Sequence, residues 1–469
     1  LIKFRNNEFY LLSVMRSCSV HTVSRGVRLA RSPKNLRSNR FDSMKTDVVV
    51  PEMLASVVPP SDSFNPSTDS LHAAIKPIIL LAQCFGMFPV CGVSKPDASY
   101  LRFTWYHPKI VYAVSIIVGT SVLTVGNIHR LVITGVDSVK MTTFVFFVTT
   151  LITAIMFIRL AMHWPCLALT WEKLEREFTS KHRRISRTSL ATRFKIVTIV
   201  VMMLAFGEHS ASITAGYTSA LECATHLGDA DVVGIYFISQ FPQIFTKLSY
   251  SLWKGIVIET INILSTFSWN FVDLFLILIS IALADQFKRL NSRLFSIRGK
   301  AMPEWWWAEA RSDYNQLATL TRRVDTYISG IVLMSFAIDL YFICMQLLFS
   351  FNPIRGSIRK IYFGFSFGFL LARTTAVSLY AASIHDESRL PAPILYSVTN
   401  SGYSNEVSRF LTQVTTDNIS LTGMKFFSIT RGLVLTVAGT IVTYELVLVQ
   451  FNNTVQQTDH TNITACEVR

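Results

Sequence analysis

Charged residues and short catalytic motifs are both scarce in this sequence. Only 16% of the 469 residues are charged, whereas 50% are hydrophobic, and the mean hydropathy is +0.38. A chain of this composition is too apolar for a soluble globular protein. The sequence also has no glycine-rich phosphate loop, no nucleophile elbow and no Cys-x-x-Cys pair. These absences argue against an enzyme and predict a polytopic membrane protein without catalytic residues, metal or cofactor.

The net charge of +14 reflects where the basic residues lie. Most Lys and Arg fall in the N-terminal segment and in two loops between apolar runs. Cytoplasmic loops of membrane proteins carry an excess of basic residues. The positive charge therefore reports topology, and we expect no nucleic-acid partner.

Seven apolar runs approach the ~20 residues that cross a bilayer as a helix. They are 110–128, 141–158, 196–218, 261–284, 326–349, 361–384 and 432–451. Two further runs are too short or too interrupted to span, because 75–93 contains Pro77 and Pro89, and 232–245 contains Pro242. The first predicts a helix at the cytoplasmic interface, and the second predicts a helix in an extracellular loop.

The loops predict the orientation of the chain. The loops after the second and fourth spans are rich in Lys and Arg, so the positive-inside rule places both in the cytoplasm. With seven spans, the N-terminus is then cytoplasmic and the C-terminus extracellular. The sequons at Asn452 and Asn462 would be glycosylated outside. Cys223 and Cys466 would also lie outside. They could form a disulfide there, although lying on the same side of the membrane does not by itself bring two cysteines together.

Two other classes of membrane protein lack support in the sequence. A rhodopsin-like receptor has its N-terminus outside, an acidic-Arg-Tyr motif after its third span and an Asn-Pro-x-x-Tyr motif at the end of its seventh. Neither motif is present in this sequence. Asn352-Pro353 follows the fifth span and has no tyrosine at the motif spacing. Secondary transporters usually carry internal repeats and matching broken spans, and we find neither. A transporter of small polar solutes is the main alternative function, and a G-protein-coupled receptor is a weaker one.

Five charged residues lie inside predicted spans, each about 12 residues from the start of its span and therefore near the membrane midplane. They are Glu208, Asp273, Asp339, Arg373 and Glu445. Ionisable groups at this depth pair with each other, face the bundle interior or line a polar cavity. Arg373 could therefore neutralise one or two carboxylates and fix helix packing, or the charges could belong to a ligand site.

Aromatic and hydrogen-bonding side chains accompany these charges. Trp269, Asn270 and Asp273 crowd one face of the fourth span. Aromatic planes beside such groups suit a sugar, which has apolar C–H faces and a rim of hydroxyls, although a buried polar network would use the same residues. The candidate ligand residues are Glu208, His209, Trp269, Asn270, Asp273, Asp339, Tyr341, Gln346 and Tyr362.

The last span ends in Thr443-Tyr444, five further residues, and Gln450-Phe451. Residues seven apart lie on nearly the same helix face, so Thr443 is aligned with Gln450. A polar stripe at this depth should face other helices or a water-filled path. A channel lining is one hypothesis for this helix.

This ending resembles the signature of the insect gustatory receptors, which share the inverted seven-span topology. Further stretches resemble the sugar-receptor branch of that family, and the similarity runs from about Leu71 to Phe451. These stretches are 71–77, 86–90, 101–105, 207–209, 269–275 and 341–344.

The resemblance implies a sugar-gated, non-selective cation channel in the plasma membrane of sensory neurons. It implies an all-α fold assembled as a tetramer, either of identical chains or with related gustatory receptors. Sugar would bind in the outer half of the bundle, and the seventh helix would line the pore. The implied pore and gate residues are Thr443, Leu446, Val447, Gln450 and Phe451. A helix near 404–417 would belong to a cytoplasmic anchor domain shared by the subunits.

The sequence divides into three parts. We expect residues 1–70 to be a disordered cytoplasmic segment or partly an over-extended gene model, residues 71–451 to be the seven-helix domain in membrane lipid, and residues 452–469 to be a short extracellular tail. Glu445 lies about 140° around the helix from Gln450. We therefore expect it to contact a neighbouring helix, with Arg373 as a possible partner, rather than the pore.

Overall fold

The computed structural model describes residues 70–181, 189–228, 231–350 and 356–455. All of them belong to the structural unit Phe64–Arg469. In the last helix, the side chains of residues 445, 446 and 448–455 lie outside the described set. The expected disordered segment before residue 70 also lies outside it.

Long α-helices dominate the described part of the chain. In chain order they are α1 (Leu71–Cys84), α2 (Pro108–Thr134), α3 (Ser138–Lys181), α4 (Leu190–Leu227), α5 (Val232–Gln240), α6 (Pro242–Phe245), α7 (Leu252–Ser296), α8 (Glu304–Ser350), α9 (Ser357–Arg389), α10 (Pro391–Tyr396), α11 (Asn405–Thr416) and α12 (Arg431–Val455). A two-stranded antiparallel hairpin, β1 (Thr422–Gly423) and β2 (Phe427–Ser428), precedes α12.

Six of the described helices, α2, α3, α4, α7, α8 and α9, are long and apolar enough to cross a membrane. They contain the first six predicted spans, so the protein is a multi-pass membrane protein. The seventh predicted span, 432–451, falls within α12, whose 25 residues are helical throughout. Its segment Arg431–Tyr444 counts as a shorter apolar helix, and its crossing of the membrane stays a prediction.

The membrane helices extend well beyond the predicted spans. α3 contains 44 residues, including Pro165, where the sequence predicted 141–158. α8 contains 47 residues, a length of about 70 Å at 1.5 Å per residue, against ~30 Å of hydrocarbon. Hydropathy identifies only the apolar part of such helices, because their polar continuations keep helical geometry outside the membrane.

Local sequence signals fix several helix ends. Ser189 Oγ accepts a hydrogen bond of 3.1 Å from Thr192 N at the start of α4, as expected for an N-cap. The same helix ends at Gly228 in the left-handed conformation. The loop helix predicted for 232–245 is in fact two helices, separated at Phe241. Proline is favoured in a first helical turn, and Pro242 begins α6.

Helix α7 forms the centre of the bundle. Its most apolar window is 89% buried, whereas the corresponding windows of the other five long helices are 22–44% buried. Aromatic side chains from α3 pack against it, including Phe157 and Trp164 around Phe275. A helix that is apolar on every side and surrounded by other helices is typical of the core of a large bundle.

A second group of elements packs at the end of the bundle opposite the α8–α9 connection. Helix α11 lies on α8, where Arg311 Nε donates to Glu406 Oε2 at 2.8 Å and the rings of Tyr314 and Phe410 meet at 5.5 Å. The predicted helix near 404–417 is thus confirmed as α11. The hairpin is held by Asp325 of α8, whose Oδ1 accepts Thr422 N at 2.7 Å.

Candidate functional site

Three charged side chains meet inside the bundle. Arg373 of α9 lies between Asp273 of α7 and Asp339 of α8, with Nε 2.6 Å from Asp273 Oδ2 and Nη2 3.1 Å from Asp339 Oδ1. All three side chains are at most 2% exposed. The sequence left open whether Arg373 neutralises one or two carboxylates, and the structure pairs it with two.

Neighbouring polar groups also form hydrogen bonds with these charges. Ser335 Oγ donates to Asp273 Oδ1 at 2.6 Å, and Thr374 Oγ1 donates to Asp339 Oδ2 at 2.9 Å. Arg373 Nη1 also donates to Asn270 Oδ1. These six residues are called the charge cluster below. Because a buried charge is tolerated only when paired and hydrogen-bonded, the cluster fixes α7, α8 and α9 relative to one another.

A cavity of about 260 Å³ borders the charge cluster. It is bounded mainly by α8 and α9, with single residues from α3 and α4 and Trp269 from α7. Its lining consists of Thr142, Glu208, Trp269, Phe342, Met345, Gln346, Phe349, Tyr362, Phe363, Ser366, Phe369, Leu370 and Arg373. Aromatic and aliphatic walls with a few polar groups are typical of small-molecule sites.

Two polar atoms of the residues that line the cavity lack a hydrogen-bond partner among the described residues. Ser366 Oγ donates to Glu208 Oε1 at 2.6 Å and accepts from Gln346 Nε2 at 3.2 Å. Gln346 Oε1 and Trp269 Nε1 are buried and have no hydrogen-bond partner among the described residues. An unpartnered buried polar atom costs free energy, so these two atoms could bind a ligand that supplies a donor and an acceptor.

The aromatic wall is anchored to the charge cluster. The guanidinium carbon of Arg373 lies 4.4 Å from the Trp269 ring centroid, within cation–π distance. Phe342 also packs against this indole, with a centroid distance of 4.8 Å. The orientation of the tryptophan is therefore set jointly by α8 and α9.

The candidate ligand residues divide into three groups. Glu208, Trp269, Gln346 and Tyr362 line the cavity. Asn270, Asp273 and Asp339 belong to the charge cluster beneath it. His209 and Tyr341 lie outside the cavity lining. His209 Nε2 is 3.8 Å from Glu259 Oε1, and the Tyr341 ring packs against Phe342.

Ser366 is a cavity residue that the sequence reasoning missed. It is a single serine within a phenylalanine-rich stretch. A signal was present, because Tyr362, Ser366, Phe369 and Arg373 follow one another at helical spacings of three and four residues. All four line the cavity.

The predicted pore residues lie on α12. Thr443 is exposed and donates from Oγ1 to Gly439 O at 2.9 Å within its own helix. Val447 is 41% exposed. The side chains of Glu445, Leu446, Gln450, Phe451 and Asn452, and all of Asn462 and Cys466, lie outside the described set. Their predicted roles, including a contact between Glu445 and Arg373, therefore stay predictions.

Metal binding was not expected. Among the described residues there is no group of three or more His, Cys, Asp or Glu side chains that could hold a metal ion.

The described fold is similar to that of solved insect olfactory receptors. The structures of the olfactory receptor OR5 from Machilis hrabei, alone and in complex with eugenol, both superpose with a TM-score of 0.57. They cover 80% of this chain and 97% of the receptor chain, at 13% and 14% sequence identity. The similarity therefore defines the fold class, a multi-helix membrane protein with the fold of these receptors.

Sequence comparison identifies the family. Residues 43–463 match the trehalose receptor family. The chain is 37% identical to the Drosophila melanogaster gustatory receptor 5a for trehalose and 36% identical to the gustatory receptor for sugar taste 64f. These matches cover 82% of this chain and 85% and 82% of the two relatives. The chain belongs to the trehalose receptor family of sugar-taste gustatory receptors, whose members are receptors and not enzymes.

Proposed function

We propose that this chain is a sugar receptor that acts as a ligand-gated, non-selective cation channel in the plasma membrane of sensory neurons. The observation that carries the proposal is the cavity, which combines the indole of Trp269 with the unpartnered atoms Trp269 Nε1 and Gln346 Oε1. The positive-inside pattern supports a cytoplasmic N-terminus and an extracellular C-terminus. In this orientation the cavity lies in the outer half of the bundle, near the α8–α9 connection.

The chemistry of the cavity suits a sugar. The C–H face of a pyranose ring can pack on Trp269 or Phe342, while its hydroxyls both donate and accept hydrogen bonds. Gln346 Oε1 would accept from a hydroxyl, and Trp269 Nε1 would donate to one. Glu208 and Ser366 are already paired with each other and would orient the remaining polar wall. Trehalose is the first sugar to test, since one relative is named as a receptor for it.

Contacts of α12 support a link between the cavity and a pore. Ile441 of α12 packs against a hydrophobic cluster that includes Phe342 and Leu370. Both of those residues also line the cavity. A ligand that favours one position of these side chains would therefore shift α12. Gating requires only that the ligand bind the open arrangement more tightly than the closed one.

The proposed pore is formed by α12 from four subunits, either identical chains or related gustatory receptors. Thr443, Leu446 and Val447 would line it, and Gln450 and Phe451 would form or flank the gate. A ring of apolar and amide side chains can close a pore by steric block and dewetting. In the proposed orientation Asn452 and Asn462 would carry glycans, and their removal should change the mobility of the expressed protein.

The decisive experiment is to express the chain in cells and record membrane current during application of a sugar panel. We expect a sugar-evoked cation current that persists when G-protein signalling is blocked. Trp269→Ala should abolish the response while the protein still reaches the cell surface. The matched control is Trp253→Ala on the same helix, whose side chain is 66% exposed and which should respond normally. Sugar uptake without current would contradict the channel and favour a transporter.

A further inference from the structure

A second pocket lies between α3 and α8, at the periphery of the bundle and apart from the sugar cavity. It has a volume of about 210 Å³. Arg159 and His163 of α3 face Tyr327 and Ser329 of α8 across it, and Met424 of the hairpin closes one end. The remaining lining residues are Met156, Leu160, Thr326, Gly330 and Ile331.

The position of this pocket matches the boundary of the membrane. Arg159 is the first charged residue after the apolar run 141–158, and Thr326 begins the run 326–349. Arginine and tyrosine are the side chains expected where helices leave the hydrocarbon. We therefore expect one half of the pocket at headgroup depth and the other half, with Met156 and Ile331, at the depth of the first acyl carbons.

The polar groups of the pocket are available to a ligand. Arg159 is exposed and forms no ion pair with any described residue. By contrast, Arg322 on the adjacent helix pairs with Asp417 at 2.8 Å. The hydroxyl groups of Tyr327 and Ser329 have no hydrogen-bond partner in the described part of the chain. Asp325, the nearest carboxylate along α8, is occupied by both Thr422 N and Thr422 Oγ1 of the hairpin.

Contacts within the pocket connect its three elements. The His163 ring stacks on Tyr327 at 4.9 Å with an interplanar angle of 29°, and its Nδ1 lies 2.8 Å from Arg159 O. Met424 N donates to Ser329 O at 3.2 Å. The pocket is thus preformed by three separate elements, and a molecule bound in it would contact all three.

We propose that this pocket binds the phosphate group of an anionic phospholipid from the adjacent leaflet. A guanidinium beside two hydroxyl donors matches a phosphate, which accepts several charge-assisted hydrogen bonds. The apolar half of the pocket accepts the glycerol and the first acyl carbons. Basic pockets between membrane helices are suited to such headgroups. With the proposed orientation the leaflet is the cytoplasmic one, and the bound lipid joins α3 and α8 to the hairpin that leads into α12.

The test uses the full-length protein purified in a neutral detergent. Its thermal unfolding midpoint is measured during titration with phosphatidylserine, with phosphatidylcholine and with inorganic phosphate. We expect phosphatidylserine to raise the midpoint at the lowest concentration. In Arg159→Gln the half-maximal concentration of phosphatidylserine should rise by about five-fold, because one basic residue near an anionic lipid contributes about 1 kcal/mol of binding free energy. The control is Arg298→Gln, an exposed arginine outside the pocket, which should titrate like the wild type.

Two results would overturn the proposal: equal titrations for Arg159→Gln and the wild type, or an equal effect of phosphatidylcholine or inorganic phosphate. A second measurement does not depend on the folding of any variant. A photoactivatable phosphatidylserine is cross-linked to the wild-type protein, and the labelled peptides are mapped by mass spectrometry. We expect labels within residues 156–163 or 326–331, and labels found only elsewhere would contradict the site.

Discussion

The charge cluster and the sugar cavity are adjacent, but their polar groups differ in whether they have partners. In the cluster, Asp273 and Asp339 both have Arg373 and a hydroxyl donor as partners. In the cavity, Gln346 Oε1 and Trp269 Nε1 have no partner among the described residues. A network of ion pairs and hydrogen bonds stabilises helix packing, whereas polar groups without a charged partner can bind a ligand. The difference separates the residues that hold the bundle from those that would recognise sugar.

The largest effect should follow from breaking the cluster. Arg373→Met would leave two buried carboxylates without a countercharge, a loss of roughly 3–5 kcal/mol. We expect little protein at the cell surface and a much lower unfolding midpoint in detergent. Arg359→Met is the control on the same helix, because Arg359 pairs with the exposed Glu222, and such surface pairs contribute about 0–1 kcal/mol. Equal losses in the two variants would remove the distinction between buried and exposed pairs.

A smaller effect, confined to function, should follow in the cavity. Ser366→Ala removes the hydroxyl that connects Glu208 and Gln346. Loss of one hydrogen bond in a binding site is worth about 1–1.5 kcal/mol, so sugar potency should fall about ten-fold. Dose–response curves of the sugar current measure this change. Ser378→Ala provides the comparison, since Ser378 bonds only within its own helix and should leave potency unaltered.

Removal of a hydroxyl group from the charge cluster should lower stability and leave sugar potency unchanged. Thr374→Val deletes the hydrogen bond onto Asp339 and should cost about 0.5–1.5 kcal/mol of stability. The unfolding midpoint should decrease while sugar potency stays within error of the wild type. Thr375→Val, at the next and exposed position, should change neither quantity. A clear loss of potency in Thr374→Val would mean that the two regions do not act separately.

The smallest effect is expected for the ion pair between Arg311 and Glu406, whose side chains are 27% and 13% exposed. Hydrogen bonds from Arg311, followed by the charges of Arg311 and Arg409, lower the pKa of Glu406 below its usual value. A depressed carboxyl pKa gives stability that is present above the unfolded-state pKa and is lost as pH falls through the folded-state pKa. Glu406→Gln should therefore differ little from wild type in strong acid and show its slight loss of stability near neutral pH.

The check on that last prediction is the unfolding midpoint measured across pH. Glu304→Gln serves as the control, because Glu304 is an exposed acid on α8. A loss at neutral pH as large as that of Arg373→Met would show that the partial solvent exposure of Arg311 and Glu406 does not weaken their pair. It would then undermine the comparison between buried and exposed charges.

The apolar parts of six helices could be predicted from the sequence, because a bilayer requires long, predominantly apolar runs. Their full lengths could not, since the polar continuation of a helix such as α3 carries no hydropathy signal. The break at Phe241 was also missed, although Pro242 is a recognised helix starter. The midplane depth of the charged residues stays a prediction from helical rise, while the structure brings three of them together.

The contacts of individual side chains were harder to predict from the sequence than the positions of the helices. Neighbouring residues point about 100° apart on a helix, so Glu208 and His209 face different helices. Only Glu208 reaches the cavity. Likewise, Gln346 lies two turns beyond Asp339 on the same stripe and therefore meets the cavity rather than Arg373. The sequence gives positions along each helix, but the choice of neighbour depends on how the helices rotate when they pack.

The unbroken length of α8 has a mechanical consequence. The helix carries Gln346 of the cavity near one end and Arg311, which holds α11, toward the other. A rod of about 70 Å that tilts by roughly 5° about its middle swings each end by ~3 Å. A displacement of about 3 Å around a sugar at one end of α8 would thus be accompanied by an equal and opposite displacement at its other end, with α8 acting as a lever.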